Sequence, residues 1–75
     1  MAKRAEHDPN VALGRRVREL RSRHGWTQED LAGHAQIQRT YLAEIELGKR
    51  NPTVKHLAKL ARAFHVGIAS LFLNY

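Results

Sequence analysis

The chain is 75 residues long, contains no cysteine and carries a formal charge of +6 at pH 7. That length has room for one domain; the lack of cysteine excludes a disulfide framework, and five histidines without an HxxxH pair give no reason to expect a metal. No apolar run approaches the ~18 residues of a membrane span, the first seven residues lack the apolar stretch of a secretory signal, and the basic balance favours polyanionic partners.

Residues 1–7 are polar and aperiodic, and are expected to form a flexible basic arm in which Lys3 and Arg4 add nonspecific affinity. Residues 8–75 are expected to form the domain. Asp8 before Pro9 reads as an N-cap followed by proline at the first helical position. Leu13, Val17 and Leu20 then recur at helical spacing and form one apolar stripe. Arg15, Arg16, Arg18 and Arg23 fall mostly off it and read as a solvated face. Gly25 is placed to end this helix in a left-handed cap.

Thr27 with Asp30 three residues on approximates a capping box, and Trp26 with Leu31 occupies the positions of a hydrophobic staple. The second helix is predicted over Gln28–Ala35. A third is predicted from about Arg39 to Leu47, with Leu42 and Ile45 inward. Gly48 ends it, and Lys49-Arg50-Asn51-Pro52 is a loop. Thr53 caps a fourth helix with Leu57, Leu60, Ala61 and Phe64 on one face, widened by Val54 and Ala58 and broken at Gly67. A short fifth helix runs from Ile68 to about Leu73. There is no strand alternation, so the fold class is all-α, a compact five-helix domain.

The stretch Gln28–Leu47 carries the function. Ala32 is small where two helices touch, and Leu31, Ala35, Ile37, Leu42 and Ile45 supply inner faces. The gap between the two helices is only about three or four residues, which forces a large crossing angle and lets the second helix project. The motifs Leu20-Arg21, Gly25-Trp26-Thr27-Gln28, Leu31-Ala32, Tyr41-Leu42-Ala43-Glu44-Ile45-Glu46 and Gly48-Lys49-Arg50-Asn51-Pro52 follow in order. In them the chain resembles the phage-repressor (Cro/repressor-like) family of bacterial helix-turn-helix transcription regulators, over about residues 11–72. Arg39-Thr40-Tyr41 with Lys49-Arg50-Asn51-Pro52 is most similar to small stand-alone members, including controller proteins of restriction–modification systems. One departure stands out: Gln36 occupies a turn position where the family usually has glycine, at an expected cost of about 1 kcal/mol.

The resemblance implies that the third helix reads double-stranded DNA in the major groove. Arg39 has the donors to bond guanine O6 and N7, and Thr40 to bond a base or touch a thymine methyl. Ala43 permits close approach. Glu44 either accepts from cytosine N4 or holds Arg39 in place. Gln28, at the start of the second helix, suits a phosphate, and Gln38, Tyr41, Lys49, Arg50 and Asn51 flank the reader as backbone contacts. Lys55 is a further candidate. Trp26 reads as a core staple. The resemblance implies a structural salt bridge between Arg21 and Glu46.

Ile68, Leu71, Phe72, Leu73 and Tyr75 are more apolar residues than a small core needs, and they are expected to form a homodimer interface. The resemblance agrees, and it implies a near-palindromic operator with half-sites about 34 Å apart. It also implies a cytoplasmic location, in the bacterial cytosol or nucleoid. No catalytic constellation can be assembled, so no enzyme is expected, and neither a cofactor nor a small-molecule ligand. The alternative reading is an antitoxin-like protein-interaction module, which the same fold permits.

Overall fold

The computed structural model describes residues 8–72. The basic arm with Lys3 and Arg4, and the interface candidates Leu73 and Tyr75, lie outside the described residues. Four α-helices follow one another: α1 (Pro9–Arg23), α2 (Gln28–Ala35), α3 (Arg39–Glu46) and α4 (Val54–Phe64). The last element is a 310 helix, Ile68–Phe72, in place of a fifth α-helix. Ser70 N–H bonds back to the Gly67 carbonyl at 3.0 Å, the tighter i→i+3 pattern. Among the described residues there is no strand, and no helix is long and apolar enough to cross a membrane.

The helix starts follow from side-chain caps. Asp8 accepts from Asn10 N at 2.8 Å. Thr27 and Asp30 form the reciprocal capping box, with bonds of 3.0 and 2.9 Å. Thr53 accepts from His56 N. Each helix end uses one shared device. At α1, Trp26 N–H reaches the Arg21 carbonyl and Gly25 N–H the Ser22 carbonyl; the same paired bonds recur at Gln36–Ile37, Gly48–Lys49 and His65–Val66. This is the Schellman arrangement, which needs a left-handed residue at its pivot. Gly25, Gln36, Gly48 and His65 supply it, with φ of 69°, 57°, 77° and 59°. The predicted left-handed strain at Gln36 is therefore present, and His65 shares it. His65, not Gly67, ends α4. Leu47 is the C-cap of α3 and not its last residue, and it is exposed.

The residue after each pivot folds back. Ile37 is buried, and Trp26 and Val66 pack against the core. Lys49 is the polar exception. The core joins Leu13, Val17 and Leu20 of α1 to Leu31 of α2, Leu42 and Ile45 of α3, Leu60 and Phe64 of α4 and Leu71. Leu71 is completely buried, so it belongs to the core of the single chain and not to an interface. Val54 is 73% exposed and Ala58 is exposed, because the inward stripe of α4 is set by Leu57, Leu60, Ala61 and Phe64. Arg16 departs from the solvated reading. It is buried, its Nε donates to the Ser70 carbonyl at 2.9 Å, and it also bonds Glu19. It thereby ties α1 to the 310 helix.

Candidate nucleic-acid interface

α2 and α3 form a helix-turn-helix. The Gln36 pivot turns the chain, buried Ile37 anchors the turn, and Gln38 caps α3 without a side-chain bond. Leu42, Ile45 and Glu46 of α3 are buried, whereas Gln38, Arg39 and Thr40 are exposed. The inner face of α3 is thus fixed by packing and its first turn projects. Ala43 and Glu44 lie at the boundary and are half-buried.

What holds α3 in place is the C-terminal half of its inner side. A Cβ at Gly14 of α1 would lie 2.3 Å from the Ile45 carbonyl oxygen and 2.7 Å from that of Glu46. Backbone therefore meets backbone there, and only glycine fits. Beside it, Arg21 grips Glu46 with two bonds, Nε to Oε2 at 2.7 Å and Nη2 to Oε1 at 3.0 Å. The Glu46 side chain is 3% exposed and that of Arg21 16%. Arg21 also donates from Nη1 to the Trp26 carbonyl at 2.9 Å. The hydrogen bond to Glu46 holds the Arg21 pKa above even its usual high value. The pair spans from α1 to the end of α3.

Gln28 has a partner within the protein. Its Nε2 donates to Glu46 Oε1 at 3.0 Å, so the amide is engaged within the protein. Gln28 nevertheless lines an open hollow of about 450 Å³ with Arg21, Thr27, Glu29 and Arg39. The first turn of α2 and the first residue of α3 meet across that hollow. Of the N–H groups at the start of α2, that of Asp30 is taken by Thr27 Oγ1, and those of Gln28 and Glu29 have no intrahelical acceptor.

On the outer side, Glu44 accepts from Arg50 Nε at 2.7 Å. Of the two roles open to Glu44, holding Arg39 is therefore replaced by holding Arg50. The Arg50 guanidinium also sits 5.3 Å from the centre of the Tyr41 ring. Tyr41 tilts against His56 at 4.6 Å, and His56 Nδ1 is 2.9 Å from Thr53 Oγ1. Donating to the Glu44 carboxylate raises the Arg50 pKa. Arg50, Lys49 and Asn51 are exposed in the loop after α3. Tyr41 and Arg50 come together; Gln38 shares a hollow with Tyr41 and His56, and Arg39 lines the separate hollow beside Gln28.

Trp26 packs on the core as a staple, and its ring lies between those of His24 and His34, with centroids 4.4 and 4.2 Å away. Those imidazoles, Gly14 and Arg16 were not marked by sequence periodicity. Only the mid-helix position of Gly14, where glycine is unfavourable, carries a signal.

A projecting helix after a short left-handed turn, with polar residues at its tip, defines the helix-turn-helix class. The helix-turn-helix family model HTH_3 matches residues 17–71, and the chain belongs to that family. It is 40% identical over 58 residues to an uncharacterized HTH-type transcriptional regulator of Archaeoglobus fulgidus, covering 77% of this chain and 83% of that protein. It is 36% identical over 61 residues to the competence pilus inhibition repressor of Acinetobacter baylyi, covering 81% of this chain but only 56% of the repressor. Among solved structures, the restriction-modification controller protein C.AhdI from Aeromonas hydrophila superposes with a TM-score of 0.82 at 38% identity, over 84% of this chain and 96% of that one.

Proposed function

We propose that the chain is a sequence-specific, double-stranded DNA-binding transcriptional regulator that inserts α3 into the major groove. The observation that carries this is the division of α3 into a buried inner face, locked by Gly14 and the Arg21–Glu46 pair, and a projecting first turn bearing Arg39 and Thr40. Arg39 and Thr40 read base edges, with Ala43 allowing close approach. Gln28, Gln38, Tyr41, Lys49, Arg50 and Asn51 position the phosphate backbone. Glu44 reaches cytosine only by releasing Arg50, which makes its base contact conditional. Relatives named as regulators, repressors and a controller protein support this reading.

The regulator acts as a homodimer on a near-palindromic site. Ile68, 38% exposed, and half-buried Phe72 remain the described apolar candidates for that contact. Selection from random duplex DNA at physiological salt tests the whole reading. A two-fold symmetric consensus with half-sites about one turn apart is the expected result. Enrichment without any consensus would reduce the interaction to charge alone and refute sequence-specific recognition.

A further inference from the structure

No acidic residue follows Glu46 in the chain, whereas Lys49, Arg50, Lys55, Lys59 and Arg62 all do. Lys49 and Arg50 are absorbed by the proposed backbone clamp. The other three recur at spacings of four and three, which places them on one face of α4 within an arc of about 60°. That face forms one wall of a groove of about 330 Å³. The opposite wall is the end of α2, with His34 and Gln36, and Ala58 adds little bulk between the two.

Lys59 Nζ lies 3.4 Å from the Gln36 carbonyl oxygen, which ties the ammonium to the far wall without neutralising it. Lys55, Lys59 and Arg62 enter no ion pair among the described residues. No acidic side chain lines the groove. Like charges at these spacings weaken an isolated helix, so the row destabilises α4 and asks for an anion.

The groove is also continuous with the leading end of α3. Gln36 lines it and, on its other side, lines a hollow of about 400 Å³ shared with Gln38, Tyr41 and His56. A polar path thus leads from the start of the reader, past Gln36 at the turn, to the cationic face of α4.

We propose that this face of α4 is a second phosphate-binding surface, which holds the DNA duplex flanking the half-site read by α3; the proposal rests on the regulator reading above. Its ligand is the phosphodiester backbone and not base edges, because lysine ammonium groups are point charges without the planar fork that discriminates bases. Lys55 and Arg62 are about 10 Å apart along the helix axis. That matches about three nucleotide steps of one strand. To reach the surface the duplex bends toward the protein, and the added phosphate contacts offset the elastic cost.

The test uses the consensus duplex recovered by selection, in two lengths. One ends at the half-sites; the other extends by about one helical turn of arbitrary sequence at each end. Wild type is compared with the triple variant Lys55→Gln/Lys59→Gln/Arg62→Gln and with Arg62→Glu alone, which leaves the Lys59–Gln36 contact intact. Both variants should bind the short duplex as wild type does. On the long duplex wild type should gain affinity and protect the flanks from hydroxyl radicals, and the triple variant should do neither. The wild-type gain should shrink about 40-fold per half-site between 50 and 200 mM salt, as three phosphate contacts from each protomer require. Equal affinity of wild type and variants for the long duplex, with the short one bound, overturns the second surface and leaves the regulator reading standing. Failure of wild type to bind the short duplex overturns both. If the triple variant melts early, Arg62→Glu decides: an unchanged affinity for the long duplex overturns the proposal.

Discussion

Two ion pairs flank α3, one on its inner side and one on its outer side, and they are built differently. Arg21–Glu46 is bidentate, nearly dry and shared with Gln28 and the Trp26 carbonyl. Glu44–Arg50 rests on one bond, with side chains 36% and 52% exposed. Removing water makes the first pair costly to break, because a lone buried charge has nowhere to go. The second pair exchanges with solvent and contributes little. The same chemistry therefore welds the helix to the body on one side and leaves a releasable clamp on the other.

The sharpest way to break this contrast is Glu46→Ala. It strands the Arg21 guanidinium and should cost about 3 kcal/mol of stability; a loss below about 1 kcal/mol in chemical denaturation would put both pairs in one class. Next comes Gly14→Ala. Helix propensity alone predicts a gain of about 1 kcal/mol. The clash with the Ile45 and Glu46 carbonyls predicts instead a loss of about 2 kcal/mol, read as a lower Tm. Gln36→Gly relieves the left-handed strain and should stabilise the protein by about 1 kcal/mol, raising Tm by roughly 4–8 °C for a domain this small.

Arg50→Ala should leave stability within about 0.5 kcal/mol while flattening the salt dependence of DNA binding by about one phosphate contact. An unchanged salt slope would remove Arg50 from the clamp. The smallest effect concerns Asp30. Its bonds from the Thr27 backbone and hydroxyl hold its pKa below 3.8 in the folded protein. The folded state thus binds this proton less readily than the unfolded chain, so the capping contribution is present above that value and lost as pH falls through the lowered pKa. Asp30→Asn should flatten the acid limb of a Tm-against-pH profile, and an identical limb would show that the box contributes nothing.

What was legible in the sequence was local. Thr27 and Asp30 announce α2 because a cap and its partner lie within one turn, and the helix spans Gln28–Ala35 as that signal predicts. The Schellman pivots at Gly25 and Gly48 are visible for the same reason. His65 is masked by Gly67 two residues on, because glycine is the stronger left-handed signal although histidine also tolerates that backbone. The Arg21–Glu46 pair was legible only through resemblance, since 25 positions separate its partners. Leu71 and Val54 were misassigned in opposite directions: an apolar letter near a chain end reads as surplus and one on a helix as core, yet tertiary packing buries the first and exposes the second. Arg16 looked like its arginine neighbours until the Ser70 carbonyl gave it an acceptor. Of the candidate site, the projecting residues were legible. The partner that Glu44 takes was not, because Arg39 and Arg50 are both within reach in sequence.

The contact at Gly14 has a consequence for engineering. At Gly14 the depth at which α3 sits on α1 is set by backbone meeting backbone, with the Ile45 and Glu46 carbonyls the nearest atoms. The projecting positions, Gln38, Arg39, Thr40 and their neighbours, are therefore decoupled from the seat of the helix. They can be randomised as an exchangeable cartridge, with the seat unchanged, to retarget the scaffold to new base sequences.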